Sequence, residues 1–225
     1  DAAARAGDHR APALQSEIHA FLPMQPPAVY SRTGPHAEER NDMGFHHLAV
    51  ATRDAVANDV FYERVMGFRL VKVEPGQTPG GGWAKHLFYD TGGNGMIAFW
   101  ELHDETIGND FPTALSEGVG LPPWVNHIAF AAADLAEIEK RKQRWLDNGY
   151  SVLEIDHDWC YSVYTTDPNG TLVEFCTSTR AFDEADRTRA RELLLAVGVP
   201  ELVAPKGHKI HKASRPPLHQ TATRS

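Results

Sequence analysis

The sequence predicts an α+β fold built from two βαβββ modules. Three observations predict it: a weak internal repeat, helix caps at matching places in both copies, and turn signals before the last strand of each copy. The chain has 225 residues, of which 42% are hydrophobic and 23% charged, a composition typical of a globular protein. We expect an N-terminal extension over residues 1–43, modules over 44–104 and 124–180 joined by a linker over 105–123, and a C-terminal helix with a flexible basic tail over 181–225.

Each copy begins with a short apolar segment that contains a histidine. Residues 45–50 and 125–130 are rich in β-branched or aromatic residues, which is typical of buried strands. His47 and His127 occupy matching positions in the two segments. Since successive side chains of a strand point to opposite faces, we expect His47 rather than its neighbour His46 to share a face with the site.

A helix follows the first strand in each copy. Asp54 and Asp134 lie at the same distance after the two histidines, and each can cap a helix, predicted over 55–66 in the first copy and 135–147 in the second. A glycine follows each predicted helix and fits a left-handed C-terminal position.

The last strand of each copy follows a turn sequence. The turns are Gly-Gly-Asn-Gly at residues 92–95 and Asp-Pro-Asn-Gly at 167–170, and they place the strands over 96–102 and 171–176. A module of this size buries too little apolar surface alone, so we expect the two modules to share one continuous sheet or core.

Each last strand carries a glutamate within apolar sequence. A carboxylate in an apolar strand is costly unless it is paired, protonated or bound to a cation. Glu101 and Glu174, together with His47 and His127, provide oxygen and nitrogen ligands suited to a divalent transition metal. When the two Asn-Gly turns are superposed, Glu101 lies two residues beyond the position of Glu174, a shift that keeps the side chain on the same face.

With these residues in place, the sequence resembles the vicinal oxygen chelate superfamily. That superfamily includes glyoxalase I, methylmalonyl-CoA epimerase, fosfomycin-resistance proteins and extradiol ring-cleaving dioxygenases. The resemblance covers about residues 44–180 and is most specific over 126–130 and over 164–175, which is similar to the family's turn followed by a metal-binding glutamate.

The resemblance implies a cup-shaped mixed sheet with a metal site inside it. It implies His47, His127 and Glu174 as ligands, and Glu101 as the fourth ligand that glyoxalase I carries on the last strand of its first module. The cofactor it implies is one divalent transition metal ion, for which Ni, Co, Zn, Mn and Fe all remain candidates.

The number of protein ligands distinguishes two reactions. Four ligands on a six-coordinate metal leave two positions for neighbouring substrate oxygens, which favours a glyoxalase- or epimerase-like lyase or isomerase acting through an enediolate, with Glu174 or Glu101 as the base. Extradiol cleavage needs three open positions and therefore two His and one carboxylate on Fe(II). We therefore expect a lyase or isomerase. One alternative is an Fe(II) extradiol dioxygenase acting on a catechol-like substrate, and the other is a metal-free drug-binding resistance protein.

Other residues are candidates for catalysis and for the substrate pocket. Tyr164 precedes Glu174 at the place where extradiol dioxygenases carry an active-site tyrosine, so it joins the catalytic candidates. Trp100, His86 and His157 are assigned to the substrate pocket, and either histidine could serve as an acid–base group.

Composition argues against several other classes of protein. The net charge of −8 argues against nucleic-acid binding, and the sequence shows neither a membrane span nor a signal peptide.

The two cysteines cannot form a disulfide framework, which favours the cytoplasm. Cys160 has no base partner that would make it a nucleophile. The expected partner is a small-molecule substrate, and the sequence leaves open whether one chain or a homodimer completes the site.

Overall fold

The computed structural model describes residues 45–200 and 202–221, so the N-terminal extension predicted over 1–43 lies outside the described residues. The first module consists of β1 (His47–Thr52), α1 (Ala55–Asp59) continued by a π-helical segment (Val60–Val65), β2 (Arg69–Gln77), β3 (Trp83–Gly92) and β4 (Gly95–His103). The second module consists of β5 (His127–Ala131), α2 (Leu135–Asp147), β6 (Val152–Asp156), β7 (Cys160–Thr166) and β8 (Leu172–Ser178). A short 3₁₀ turn (Glu117–Val119) lies between them, and α3 (Glu184–Leu195), β9 (Gly207–His211) and α4 (Leu218–Thr221) follow.

The strands form two open mixed sheets, one for each module. Their orders are β1-β4-β3-β2 and β5-β8-β7-β6-β9. In both, the first strand of the module runs parallel to the last, and the remaining strands are antiparallel. The predicted α+β fold of two βαβββ modules is therefore confirmed, although within one chain the sheets stay separate rather than joining into one continuous cup.

The helices begin where the sequence predicts them. The Asp54 carboxylate accepts hydrogen bonds from two amides of the first turn of α1, and Asp134 accepts one from the Glu137 amide, which satisfies donors that have no partner within a helix. α2 matches its predicted range. The first predicted helix changes at Val60 to a wider π-helical turn, which buries the adjacent rings of Phe61 and Tyr62 completely.

One hydrophobic core joins the two modules. It lies between the sheet faces that the helices cover, with the Phe68 ring 4.9 Å from Phe130 and 6.2 Å from Phe175. A buried polar contact crosses the same boundary, since the Tyr62 hydroxyl donates to Asp167 at 2.9 Å. Because the modules pack through these faces, the other face of each sheet is turned away from the core.

The C-terminal region differs in part from the sequence prediction. α3 begins after Asp183, whose carboxylate accepts from the Asp186 amide as an N-cap, close to the predicted helix. The tail expected to be flexible instead contributes β9, which pairs antiparallel with β6. Without β9 that side of β6 would be an unpaired strand edge, so this pairing corrects the expectation of a wholly flexible tail.

Within the described ranges, every helix is too short or too polar to cross a lipid bilayer.

Candidate metal centre

The second module places His127 and Glu174 side by side. β5 and β8 pair Ala129 with Glu174, and His127 lies two residues before Ala129, so both side chains point to one face of the sheet. The His127 Nε2 atom lies 3.1 Å from the Glu174 Oε2 atom, and Glu174 is only 4% exposed. We call His127, Glu174 and the adjacent Tyr164 the second half-site.

A hydrogen bond on the far side of the His127 ring determines which nitrogen carries the proton. Nδ1 lies 3.2 Å from the carbonyl oxygen of Trp124, and a carbonyl can only accept, so Nδ1 donates. In a neutral ring the lone pair of Nε2 then faces the Glu174 carboxylate. Two acceptor atoms in contact need a cation between them, either a proton or a metal ion.

The other surroundings of Glu174 do not supply that cation. Over residues 45–200 and 202–221, no Lys or Arg forms an ion pair with this carboxylate, which contacts His127 and the Tyr164 hydroxyl. A buried carboxylate without a cationic partner is costly. The residues present therefore fit a divalent metal ion bound at this face.

Tyr164 links Glu174 to His157. β7 and β8 pair Tyr164 with Glu174, and the Tyr164 hydroxyl lies 3.0 Å from the His157 Nε2 atom. Burial raises the pKa of Tyr164 well above its ordinary value, and the neighbouring Glu174 raises it further. The phenol is therefore protonated at neutral pH and can donate a proton beside the carboxylate.

The first module carries the matching face, which we call the first half-site and define by His47, His86 and Trp100. The register of β1 and β4 pairs His47 with Met96, so Trp100, four residues beyond Met96, faces the same side. The rings of His47 and His86 are 6.1 Å apart. The neighbouring His46 lies just before β1 and its Nδ1 atom is 2.8 Å from the Nδ1 atom of His47, so it contacts the ligand candidate rather than pointing away from it.

His86 is the buried polar residue of this face. Its ring stacks on Trp100 at 3.7 Å between centroids, it is 7% exposed, and its Nε2 atom has no hydrogen-bond partner. Burial lowers the pKa of His86, and the nearby His47 lowers it further, so the ring is neutral at pH 7. Beside it lies an open cavity of about 470 Å³, with a mainly apolar lining that includes Ala49, Ala51, Ala84, Trp100, Leu102 and Ile107.

The structure does not bring Glu101 to His47. β1 and β4 pair Thr52 with Glu101, which places the carboxylate on the helix-covered face of the sheet. There it accepts hydrogen bonds from the Ala55 amide at 3.0 Å and from Lys85 Nζ at 2.7 Å. Burial raises the pKa of Glu101, but these bonds and that of His103 outweigh it and hold the pKa below its usual value. Glu101 therefore already has cationic and amide partners.

The two half-sites do not meet within one chain. In the part of the chain that the structure describes, no group of three or more His, Cys, Asp or Glu side chains is close enough to hold a metal ion. His47 and His127 are both exposed at the surface, on the outer faces of two separate sheets.

Two cysteines on the face of the second half-site are not among the site residues predicted from the sequence. Cys160, Ser162 and Tyr164 alternate along β7, opposite Glu174 and Cys176 on β8. Burial raises the pKa of the Cys176 thiol to about 11, and contact with Cys160 also raises it. Their position could have been predicted from the sequence, because the turn at 167–170 and the two-residue period of a strand together place Cys160 and Cys176 on the face of Glu174.

The fold and these two faces define a protein of paired βαβββ modules with histidines on the uncovered side of both sheets and a glutamate on that of the second. The sequence model of the Glyoxalase/Bleomycin resistance protein/Dioxygenase superfamily matches residues 44–175. The chain belongs to this superfamily, as its resemblance to vicinal oxygen chelate proteins implied.

The chain is also similar to individual members of the superfamily. The probable trivalent organoarsenical cleaving enzyme of Bacillus subtilis (strain 168) is 30% identical over 138 residues, which are 59% of this chain and 79% of that protein. A lactoylglutathione lyase structure from Agrobacterium tumefaciens is 25% identical, with a TM-score of 0.41, covering 59% of this chain and 92% of that one. A glyoxylase/bleomycin resistance protein/dioxygenase domain from Frankia sp. EAN1pec is 15% identical, with a TM-score of 0.49, covering 60% and 98%.

Proposed function

We propose that this protein is a metal-dependent enzyme in which His47, His127 and Glu174 hold one divalent metal ion. The observation that carries the proposal is the 3.1 Å contact between the His127 Nε2 atom and the buried Glu174 carboxylate, with Nδ1 of the same ring held by the Trp124 carbonyl. Two imidazoles and one carboxylate are donors suited to a transition metal.

A second copy of the chain completes the site in this proposal. His47 lies on the outer face of one sheet and the His127–Glu174 pair on the outer face of the other, so the first half-site of one copy would meet the second half-site of its partner, twice in a symmetric dimer. Exposed aromatic rings support such an interface. Trp100, on the same face as His47, is 38% exposed, and Trp124, three residues before His127, is 70% exposed.

The set of three ligands favours oxygen-dependent bond cleavage. Two histidines and one carboxylate with the remaining positions open are the donor set of non-haem Fe(II) oxygenases. When bound, the metal ion would supply Lewis-acid polarisation of substrate oxygens and, as iron, one-electron chemistry with dioxygen. The protein's own groups would position the substrate and move protons: Tyr164, hydrogen-bonded to His157, would donate to a substrate oxygen or leaving group.

The surroundings define the kind of substrate. Trp100, stacked on His86, lines the largely apolar cavity of about 470 Å³. This cavity suits a small molecule with an apolar or aromatic body and neighbouring oxygens at one end. Trivalent organoarsenicals are a further substrate class that we include, because the relative from Bacillus subtilis is named for cleaving them.

A glyoxalase- or epimerase-like lyase or isomerase is the second candidate function. Its support is the Tyr164–His157 pair beside Glu174, which can carry a proton to and from a carbon next to a carbonyl. It ranks second because Glu101, the fourth ligand on which the argument for it rested, faces the other side of its sheet.

Metal analysis of protein purified anaerobically without a chelating tag tests the proposal. Near-stoichiometric iron that is lost in the His127→Ala and Glu174→Gln variants, with oxygen uptake on a panel of catechols and organoarsenicals, supports the oxygenase. Nickel, cobalt or zinc without oxygen uptake, and turnover of 2-oxoaldehyde adducts or epimerisable thioesters, supports the second candidate. A wild-type protein that takes up no metal on titration overturns both and leaves the drug-binding alternative, to be checked by ligand affinity without turnover.

A further inference from the structure

The C-terminal strand β9 lengthens the uncovered face of the second sheet. The ladders pair Glu174 with Tyr164 on β7, and Tyr164 with Leu153 on β6. Leu153 is paired in turn with Ile210 on β9. Since paired residues of neighbouring strands point to the same face, these four side chains form one row, which we call the cross-strand row. With about 4.8 Å between strands, the row extends about 14 Å from Glu174 to Ile210.

Residues 207–221, which we call the C-terminal extension, are held firmly against the second module. The superfamily match ends at residue 175, so this segment lies outside the part of the chain that the superfamily model describes. The Ala213 amide donates a hydrogen bond to the Ser151 hydroxyl at 3.0 Å. A Cβ atom at Gly149 would overlap the backbone of Pro216, so only glycine lets the segment pass there. The C-terminal extension is therefore a fixed part of the structure.

A cavity of about 750 Å³ lies between the C-terminal extension and the cross-strand row. Leu153, Tyr164 and Ile210 line it, together with Ala213 and Arg215 of the extension, and its lining is mainly apolar. Ile210 is 63% exposed, so its apolar surface is free to contact a ligand. The volume is in the range of small-molecule sites. The cavity therefore reaches from the C-terminal extension to Tyr164 of the second half-site.

Arg215 supplies the positive charge of this cavity. Of the described residues that line it, Arg215 is the only Lys or Arg, and within the described ranges its guanidinium forms no ion pair or hydrogen bond. The one acidic lining residue, Asp167, is buried and accepts hydrogen bonds from the Tyr62 hydroxyl and the Thr171 amide. Burial lowers the pKa of His219, so its ring is neutral at pH 7. An apolar cavity with one unpaired guanidinium suits an anion with an apolar body.

We propose that this cavity binds a small molecule with an apolar body and one anionic group, such as a carboxylate, sulfonate or phosphonate. The anionic group would lie against Arg215, the body along Leu153 and Ile210, and the other end beside Tyr164. This inference rests on the proposed function, since Tyr164 and the metal site are what would act on the bound molecule. The C-terminal extension would then select substrates that carry a negative charge at the end remote from the metal.

Two fluorescent probes test the cavity in the metal-free, full-length chain. Anilinonaphthalene sulfonate and N-phenylnaphthylamine share an apolar aromatic body and differ by the sulfonate. Each should bind once per chain and gain fluorescence. Arg215→Gln should weaken binding of the sulfonate by a factor on the order of 10 and leave the uncharged probe unaffected. The matched control Lys212→Gln removes an exposed cation of the same segment that does not line the cavity, and should change neither affinity.

A second variant tests the apolar wall. Ile210→Thr keeps a β-branched residue on β9 and removes apolar surface, so it should weaken both probes by a similar factor, on the order of 5. Circular dichroism and urea unfolding of each variant verify that the fold is kept.

Three results would overturn the inference: a wild-type protein that binds neither probe, an Arg215→Gln variant that binds the sulfonate as the wild type does, or one that loses affinity for both probes equally. Metal titration of the same samples separates this inference from the proposed function. Charge-selective probe binding without metal uptake rejects only the metal enzyme. Metal uptake without charge-selective probe binding rejects only the anion-binding cavity.

Discussion

Glu101 and His47 lie on opposite faces of the first sheet. The ladder between β1 and β4 pairs His47 with Met96 and Thr52 with Glu101, so Glu101 lies an odd number of positions along the strand from the residue opposite His47. Side chains alternate along a strand, and Glu101 is therefore turned towards the start of α1, where it accepts a hydrogen bond from the Ala55 amide.

The first prediction is that Glu101→Gln leaves metal affinity unchanged but lowers stability. The carboxylate accepts charge-assisted hydrogen bonds from Lys85 and His103 as well as the Ala55 amide, and losing its charge should lower the free energy of unfolding by about 1.5–3 kcal/mol. Urea unfolding and metal titration measure the two effects. The exposed neighbour variant Glu105→Gln should change neither, and a large loss of metal affinity in Glu101→Gln would restore the four-ligand centre.

The position of Glu101 shows where the sequence was sufficient and where it was not. Strands and helices could be predicted because their signals are local: apolar segments, the caps Asp54 and Asp134, and the turn sequences. The face of Glu101 depends on register, and a shift of one residue reverses every side chain. The residue paired with His47 is Met96, which directly follows Gly95 of its turn. The residue paired with His127 is Leu172, which lies two residues after Gly170. Superposing the turns therefore misaligns the last strands by one residue.

The C-terminal strand could not be predicted for a different reason. β9 has the sequence Gly-His-Lys-Ile-His and lacks the alternation of apolar residues that marks a half-buried strand. Its pairing follows from the free edge of β6, a tertiary feature that no local window contains. The candidate ligands His127 and Glu174, by contrast, could be placed together from the sequence because the repeat and the turn both pointed to one face.

The second prediction concerns where the metal site is assembled. If His47 of one copy meets Glu174 of another, His47→Ala and Glu174→Ala should each lose metal binding, and mixing them should restore it. A mixed dimer contains one site with both substitutions and one with neither, so random exchange should recover about a quarter of the wild-type sites. Metal titration after mixing, with dimer mass followed by light scattering, measures this.

A control identifies the source of any recovery. Mixing His127→Ala with Glu174→Ala should restore no metal binding. Both residues belong to the second half-site, which each copy supplies whole, so every site in the mixture lacks either His127 or Glu174. Recovery in that mixture would mean that His127 and Glu174 of different copies combine in one site. No recovery in the mixture of His47→Ala and Glu174→Ala, or a monomeric protein that binds metal stoichiometrically, would place the whole site within one chain.

The third prediction concerns Tyr164, whose hydroxyl lies between Glu174 and His157. Tyr164→Phe removes the proton donor and leaves the two histidines and the carboxylate in place, so metal content should stay unchanged while turnover falls by a factor on the order of 10² to 10⁴. Oxygen uptake or product formation with the substrate found in the panel measures it. Tyr161→Phe is the matched control, since Tyr161 lies on the same strand but faces the other side and should leave turnover unaffected.

The fourth prediction concerns the pH dependence of stability and depends on Glu154. Burial raises the pKa of Glu154, but hydrogen bonds from Lys142 Nζ at 2.6 Å and Tyr161 Oη at 2.5 Å, together with the charges of Lys142 and His211, lower it to about 2. Because the folded-state pKa lies below the ordinary value, the stabilisation is complete above the ordinary glutamate pKa and is lost as the pH falls from there towards 2.

Glu154→Gln should therefore be less stable than the wild type at neutral pH by about 1.5–3 kcal/mol, and this difference should shrink as the wild-type carboxylate becomes protonated. Urea unfolding of both proteins near neutral pH and near pH 3 measures the change. Glu139→Gln, which removes the exposed second partner of Lys142, should cost less than about 1 kcal/mol at either pH. A difference between Glu154→Gln and wild type that is the same at both pH values would show that packing rather than charge holds β6, β7 and β9 together at this point, since only the ionised carboxylate loses its advantage in acid.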